Sequence, residues 1–246
     1  MNKVTVTKIP TKTILVIAVL IVAIVCLWSF ALSPYFRITD IVVKGQFFCP
    51  QSLMDEIVDP NRLGNIFTVS TRKIKHRLVQ NPWIKSVEVK RKLPNTLELV
   101  IYENYPIAAL ATGEGFTLIS EEAIPIQTVE QLSKYGVPVF TTSVLVPIHE
   151  GKQIEMPYFA EAAQAISTIR YSEVPAELSQ VHLSADGLLT CYFKGGLKVF
   201  FGELVDLHEK LKLLLVIISE EGGELGHLDS ISLADENGPV VMYKLN

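Results

Sequence analysis

Hydrophobic residues along this chain are arranged in three ways, and each arrangement predicts a different element. From Ile14 to Leu32, nineteen residues pass without a charge, and thirteen of them are Leu, Ile, Val or Phe. A helix that is apolar on every side is one that lies in lipid or in a large core. In Val87-Glu88-Val89, and again from Thr96 to Glu103, apolar residues recur at period two. Leu97, Leu99 and Ile101 fall on one face, and Thr96, Glu98 and Tyr102 on the other. That pattern predicts an antiparallel hairpin with one buried face. Leu93-Pro94-Asn95 supplies its turn, with Pro fixing φ and Asn tolerating the left-handed region. A helical stripe appears twice: Phe159, Ala162, Ala163, Ile166 and Ile169 within 157–171, and Leu204, Leu207, Leu211, Leu215 and Ile218 within 204–219. The apolar run 213–218 is too short to cross a bilayer, so it belongs to a core.

Around these anchors the remaining elements fall into order. Residues 36–44 read as a strand with Ile41 and Val43 facing one way, and 50–58 as a short helix with Leu53, Ile57 and Val58 on one stripe, stopped by Asp59-Pro60-Asn61. Ser70 is placed to cap a second helix over 71–80, with Ile74 and Leu78 at i, i+4, and Asn81-Pro82 breaks it. The unit is β-α-α-β-β and would bury Leu97, Leu99, Ile101, Val87, Val89, Ile41 and Val43 together. Beyond it, 116–126 and 137–140 read as strands. Residues 188–194 and 197–201 form a hairpin on Gly195-Gly196, because both glycines can take positive φ. Residues 230–233 and 239–245 form terminal strands across Asn237-Gly238. The fold class is α+β: a short N-terminus expected in the cytoplasm (1–13), a transmembrane helix (14–32), a small domain (35–104) and a second α+β domain with an antiparallel-rich sheet (105–246).

Composition changes the picture at one point. A chain of 246 residues with 49% hydrophobic residues is too apolar for an ordinary soluble protein, and the 14–32 run accounts for the excess. At ~1.5 Å per residue it is about 28 Å long, enough to span a bilayer. Its thirteen large apolar residues are worth roughly −4 to −8 kcal/mol for insertion. A cleaved signal peptide is the competing reading, with Ala31-Leu32-Ser33 as the cleavage site. Its apolar core would be only about 7–15 residues, and Trp28 with Tyr35-Phe36 makes an interfacial belt suited to a retained anchor. Lys3, Lys8 and Lys12 precede the span, so the N-terminus is expected in the cytoplasm and everything after about residue 33 outside it. Cys26 lies in the span; Cys49 and Cys191 are expected to be buried thiols outside any disulfide.

Charge is polarised along the chain. Between Arg72 and Lys92 there are eight Lys or Arg against one acid, Glu88, whereas from Phe201 onward nine Asp or Glu meet three Lys. Arg72, Lys73, Lys75, Arg77, Lys90, Arg91 and Lys92 are either ordinary solvated faces or an electrostatic patch for anionic headgroups or an acidic partner. An exported patch has no access to nucleic acid. The five histidines show no metal-ligand spacing, and phosphate-loop, nucleophile-elbow and zinc-protease motifs are absent. Gly222-Gly223-Glu224-Leu225-Gly226 follows a helix and reads as its C-cap. No cofactor, metal or small-molecule substrate is implied. An exported cell-wall hydrolase or peptidase remains as the alternative, with Ser184 and Asp186 beside His182 as its least implausible trio.

The order of several short motifs carries a resemblance. A membrane anchor is followed by Ile38, Ile41, Val43 and Gly45, then Asn65-Ile66-Phe67. Next come Asn81-Pro82-Trp83-Ile84-Lys85-Ser86, Pro94-Asn95-Thr96-Leu97, and Glu103 with Pro106 and Ala108. Leu178-Ser179-Gln180-Val181 and Gly195-Gly196-Leu197-Lys198-Val199 complete the set. Together they resemble the bacterial division family FtsQ/DivIB, and the match departs from it over 229–246. The resemblance implies that 35–104 is a POTRA domain followed by a β domain. It also implies a non-catalytic, single-span scaffold at the division septum, holding small coiled-coil partners, FtsB and FtsL, at its C-terminal strands. The last strand has one neighbour guaranteed by connectivity, so its other edge is expected to be open to β-strand addition. Val240, Val241, Met242, Tyr243 and Lys244 are the expected contact residues, with Tyr243 as anchor and Lys244 as a candidate edge guard.

Overall fold

The computed structural model of the protein describes residues 11–45, 47–49, 58–222, 225–235 and 238–244. A helix, α1 (Thr11–Ala31), is long and apolar enough to cross a membrane. A 3-10 turn follows at Pro34–Phe36. The rest divides into two compact units: one comprises Met1–Leu78 with Ser86–Ile101, the other Val79–Lys85 with Tyr102–Asn246.

In the first unit, three strands form a sheet in the order β1-β3-β2, with β1 at Asp40–Lys44, β2 at Ile84–Lys92 and β3 at Thr96–Glu103. β1 runs parallel to β3, with Ile41 opposite Leu97 and Val43 opposite Leu99. The period-two pattern holds on β3: Leu97, Leu99 and Ile101 are buried, as is Val87 on β2. Val89, Ile41 and Val43 are only half-buried. The turn differs from expectation. Leu93–Pro94 is a cis peptide, Asn95 is not in the left-handed region, and its side chain donates to Thr39 Oγ1 at 2.7 Å. Gly45 has φ 79°, and a Cβ there would collide with the Ile101 carbonyl, which explains a glycine directly after β1.

The helix expected over 50–58 falls on residues 50–57, which lie outside the described residues. Asp59-Pro60-Asn61 starts a helix of its own. Asp59 Oδ1 accepts from Asn61 N–H at 2.9 Å and caps the single turn α2 (Pro60–Leu63). Helix α3 (Thr71–Val79) buries Ile74 and Leu78 as the i, i+4 spacing requires. Ser70 Oγ is a loose cap, 3.4 Å from Lys73 N–H.

The second unit holds nine strands in the order β12-β11-β10-β9-β8-β7-β4-β5-β6. They are β4 (Pro106–Thr112), β5 (Gly115–Ser120), β6 (Pro125–Val129), β7 (Val139–Thr142), β8 (Leu178–Leu183), β9 (Leu189–Phe193), β10 (Lys198–Gly202), β11 (Leu228–Ser232) and β12 (Val240–Tyr243). Two crossovers make parallel pairs: β7 to β8 through α4 (Phe159–Arg170), and β10 to β11 through α5 (Leu207–Glu220). β4 is also parallel to β7. Phe140, Phe159, Ile166, Val181, Phe201, Leu214 and Ile231 lie in the core between sheet and helices. Gly195 and Gly196 both have φ of 90° or more, as the β9–β10 turn demands.

Several expectations shift here. The 116–126 stretch is a hairpin, not one strand: it turns at Ala123, which has φ 59° and donates to Ser120 O at 3.0 Å. The stripe that α5 buries is Leu211, Leu214, Ile217 and Ile218, with Leu207 and Leu215 half-buried. Trp83, from the Asn81-Pro82-Trp83-Ile84 motif, is buried in the second unit. It stacks on Tyr135 at 6.3 Å and donates to Gln127 Oε1 at 3.2 Å.

Candidate functional site: the open edge of the large sheet

Strand β12 is a run of β-formers, Val240-Val241-Met242-Tyr243, following Gly238, whose φ of 113° suits only glycine. Its expected turn partner Asn237 lies outside the described residues. β12 pairs antiparallel with β11, Val241 opposite Ile231 and Tyr243 opposite Leu228, across a bulge at Asp229. Its other side is the end of the sheet. Lys244 N–H donates inward to His227 O at 2.9 Å. Main-chain groups alternate along an antiparallel strand, so Met242 also faces β11 while Val241 and Tyr243 turn their N–H and C=O groups to the open side.

The side chains divide differently. Val241 packs on the core, whereas Val240, Met242 and Tyr243 are 45%, 56% and 55% exposed. Tyr243 is nonetheless held. Its hydroxyl donates to Glu221 Oε1 at 2.8 Å, and its ring stacks on His227 with planes 10° apart. Glu221, at the C-terminal end of α5, also lies 2.8 Å from His227 Nε2 through its other oxygen. The hydrogen bond from His227, then that from Tyr243, holds the Glu221 carboxyl below the usual carboxylate range. The same carboxylate pushes the Tyr243 phenol up. Glu221 and His227 carried no sequence signal, because α5 and the start of β11 meet β12 only in the folded sheet.

Lys244 does not guard the edge. Its ammonium reaches the carbonyls of Gly226 at 2.9 Å and Gly195 at 3.2 Å, back over the sheet.

The basic residues separate into two groups. On β2, Lys90 pairs with Glu88 at 2.8 Å, Lys92 lies 4.0 Å from Glu98, and Arg91 donates to Val69 O at 2.8 Å. On α3, Arg72, Lys73, Lys75 and Arg77 are all exposed, with His76 among them.

The hydrolase trio is not assembled. His182 meets Thr141 Oγ1 through Nδ1 at 2.9 Å and Ser143 Oγ through Nε2 at 3.1 Å. Ser184 Oγ instead accepts from Leu188 N–H at 3.0 Å in its own turn. Cys49 and Cys191 are both buried, and burial pushes the Cys191 thiol far up. Among the described residues no cluster of His, Cys, Asp or Glu could hold a metal.

Comparison with known proteins covers most of the chain. Residues 36–104 match the model of the POTRA domain, FtsQ-type. The chain is 27% identical over 196 residues to the cell division protein DivIB of Clostridium acetobutylicum, covering 76% of each. It is 29% identical over 209 residues to the cell division protein FtsQ of Myxococcus fulvus, covering 80% of this chain and 71% of that one. With FtsQ of Rickettsia typhi it shares 30% identity over 91 residues, which span 34% of that protein.

Proposed function

Because this chain belongs to the FtsQ/DivIB family of cell-division proteins, we propose that it is a non-catalytic, single-span scaffold of the division machinery, anchored in the cytoplasmic membrane with its two folded units outside the cytoplasm. It recruits partners of the FtsB and FtsL type at the septum by adding an extended partner segment to β12. The observation that supports this reading most is that, among the described residues, no strand pairs with the outer side of β12. Val241 and Tyr243 offer two N–H and two C=O groups to an incoming strand, beside exposed apolar side chains and with no charge in the strand. Tyr243, braced by Glu221 and His227, is an anchor whose rotamer is set before the partner arrives, which lowers the entropy lost on binding.

The test is proline at Val241, which removes an outward donor and blocks pairing while leaving the inward ladder intact. Full-length protein carrying Val241→Pro should insert in the membrane and fold, yet recover no FtsB- or FtsL-type partner after crosslinking and affinity isolation. Met242→Pro, whose N–H faces β11, should instead loosen β12 itself and lower the melting temperature. Normal partner recovery by folded Val241→Pro would exclude this edge as the recruitment site.

A further inference from the structure

The loop that leads into α3 is fastened to the end of the membrane helix. Asn65 Nδ2 donates to the carbonyl of Ala31, the last residue of α1, at 2.8 Å, and so satisfies one of the acceptors a helix C-terminus leaves open. Two main-chain bonds hold the same loop to the chain leaving α1: Ile66 N–H to Phe36 O at 2.9 Å, and Ile38 N–H to Gly64 O at 2.8 Å. Aromatic rings continue the seam. Phe36 touches Phe30 of α1 at 5.2 Å, Tyr35 at 5.1 Å and Phe67 at 5.0 Å, and Tyr35 and Phe67 remain 64% and 45% exposed. Half-exposed aromatics at the end of an apolar span are what the interface between headgroups and acyl chains accommodates.

Helix α3 starts four residues past Phe67, and its nine residues extend about 13 Å at ~1.5 Å each. Arg72, Lys73, Lys75 and Arg77 therefore all lie within about twelve residues along the chain of Asn65, which holds the end of α1, and exposed Arg37 follows the 3-10 turn after the span. No acidic residue lies on α3. Between α2 and α3 runs a cleft of about 490 Å³, lined by Arg62, Lys73, His76 and Arg77 around Ile74 and Val69. An open basic cleft with an apolar floor is suited to a phosphodiester whose acyl chains point towards the bilayer.

From this geometry we infer that α3 and Arg37 form a docking face for the anionic phospholipid headgroups of the leaflet from which α1 emerges, held at that height by the Asn65–Ala31 bond and the aromatic seam. The reading requires α1 to be a membrane span, but it does not depend on which partner, if any, binds β12. The charge on α3 then does for orientation what it does for polybasic segments next to other spans: each cation close to the surface adds attraction that salt screens.

The test uses the full-length protein in nanodiscs of phosphatidylcholine alone, or with about 30% phosphatidylglycerol, an anionic content on the scale at which a bilayer carries a sizeable surface potential. Lysines are labelled with a neutral amine-reactive reagent and read by mass spectrometry, so the main comparison uses the unaltered protein. Labelling of Lys73 and Lys75 should fall roughly threefold or more in the anionic discs, while exposed Lys134 and Lys152 of the second unit change little. The protection should fade as salt is raised from about 0.05 to about 0.5 M. Asn65→Ala, which keeps every cation, should lose most of it. Equal labelling of Lys73 and Lys75 in the two discs overturns the inference. So does protection that appears only when an acidic polypeptide is added, since that assigns the face to a protein. Full protection in Asn65→Ala overturns the role of the clamp.

Discussion

At one edge of the nine-stranded sheet, β6 is covered by the chain that follows β7: Gly151 N–H donates to Pro125 O at 2.8 Å, Ile154 N–H to Ala123 O at 3.0 Å, and the Glu150 carboxylate accepts from Thr128 N–H at 3.3 Å. At the other edge, β12 has no such cover among the described residues, and its one nearby cation is turned back onto glycine carbonyls. In the small sheet, the free side of β2 shows a third treatment, with Glu88, Lys90, Arg91 and Lys92 all exposed along it. A covered edge and a charged edge both discourage strand addition. An uncovered, uncharged edge invites it. The difference points to β12, of these three strands, as the one left available.

The contrast can be broken most decisively by proline. Val241→Pro should abolish partner capture, whereas Thr128→Pro on the covered edge should lower stability and leave capture of partner intact, measured by crosslinked isolation beside thermal melts. Equal loss in both would remove the distinction between the edges. Next in size is Leu99→Ala. At a fully buried site it should cost about 2–5 kcal/mol of stability in the first unit, read by denaturant unfolding. Capture at β12 should persist under conditions where the second unit stays folded. Glu98→Ala should cost less than Leu99→Ala but more than a bare surface change, because Glu98 is 3.0 Å from Lys44 and only 13% exposed at its side chain.

A smaller effect is expected at the anchor. Tyr243→Phe keeps the ring but loses the bond to Glu221, and should weaken capture a few-fold, with Tyr243→Ala weaker still by titration of the partner. The pH dependence follows from the same contact. Glu221 is held below its ordinary value of 4.5, so its bracing is complete above that pH and is lost as pH falls through the depressed value. Capture should therefore be insensitive to pH down to about 4.5 and fall below it, and Glu221→Ala should remove that acid limb. The smallest change belongs to His182→Ala, which should leave partner capture and growth-supporting function unaltered; loss of function in a stably folded His182→Ala protein would reopen the catalytic reading.

How far the residues alone led depends on whether a pattern is local. The apolar run of α1, the alternation on β3, the paired glycines of the β9–β10 turn and the two amphipathic helices are all written within a few turns or pleats of chain, and each is found within a few residues of where the pattern puts it. β4 was not legible. Its residues, Pro106-Ile107-Ala108-Ala109-Leu110, are buried on both faces between β7 and β5, so no alternation marks them, and alanine is a poor strand signal. Asp59-Pro60-Asn61 reads as a stop, and that it also starts the turn α2 shows only in the cap from Asp59 to Asn61.

The apolar character of Val240 to Tyr243 was plain from the chain, as was the cationic character of 72–92. What those residues can do was decided by tertiary structure. Whether a strand's outer side is open depends on segments far away in sequence: residues 150–154 close β6, and among the described residues nothing closes β12. Whether a lysine guards an edge or an arginine is available for an anion depends on which carbonyl or carboxylate folding brings within 3 Å, as it does for Lys244 and Arg91 but, among the described residues, not for the cations of α3. Local pattern determines which elements form because it is set by sterics and burial over a few residues. Site geometry is set by long-range pairing, and only the folded chain contains that information.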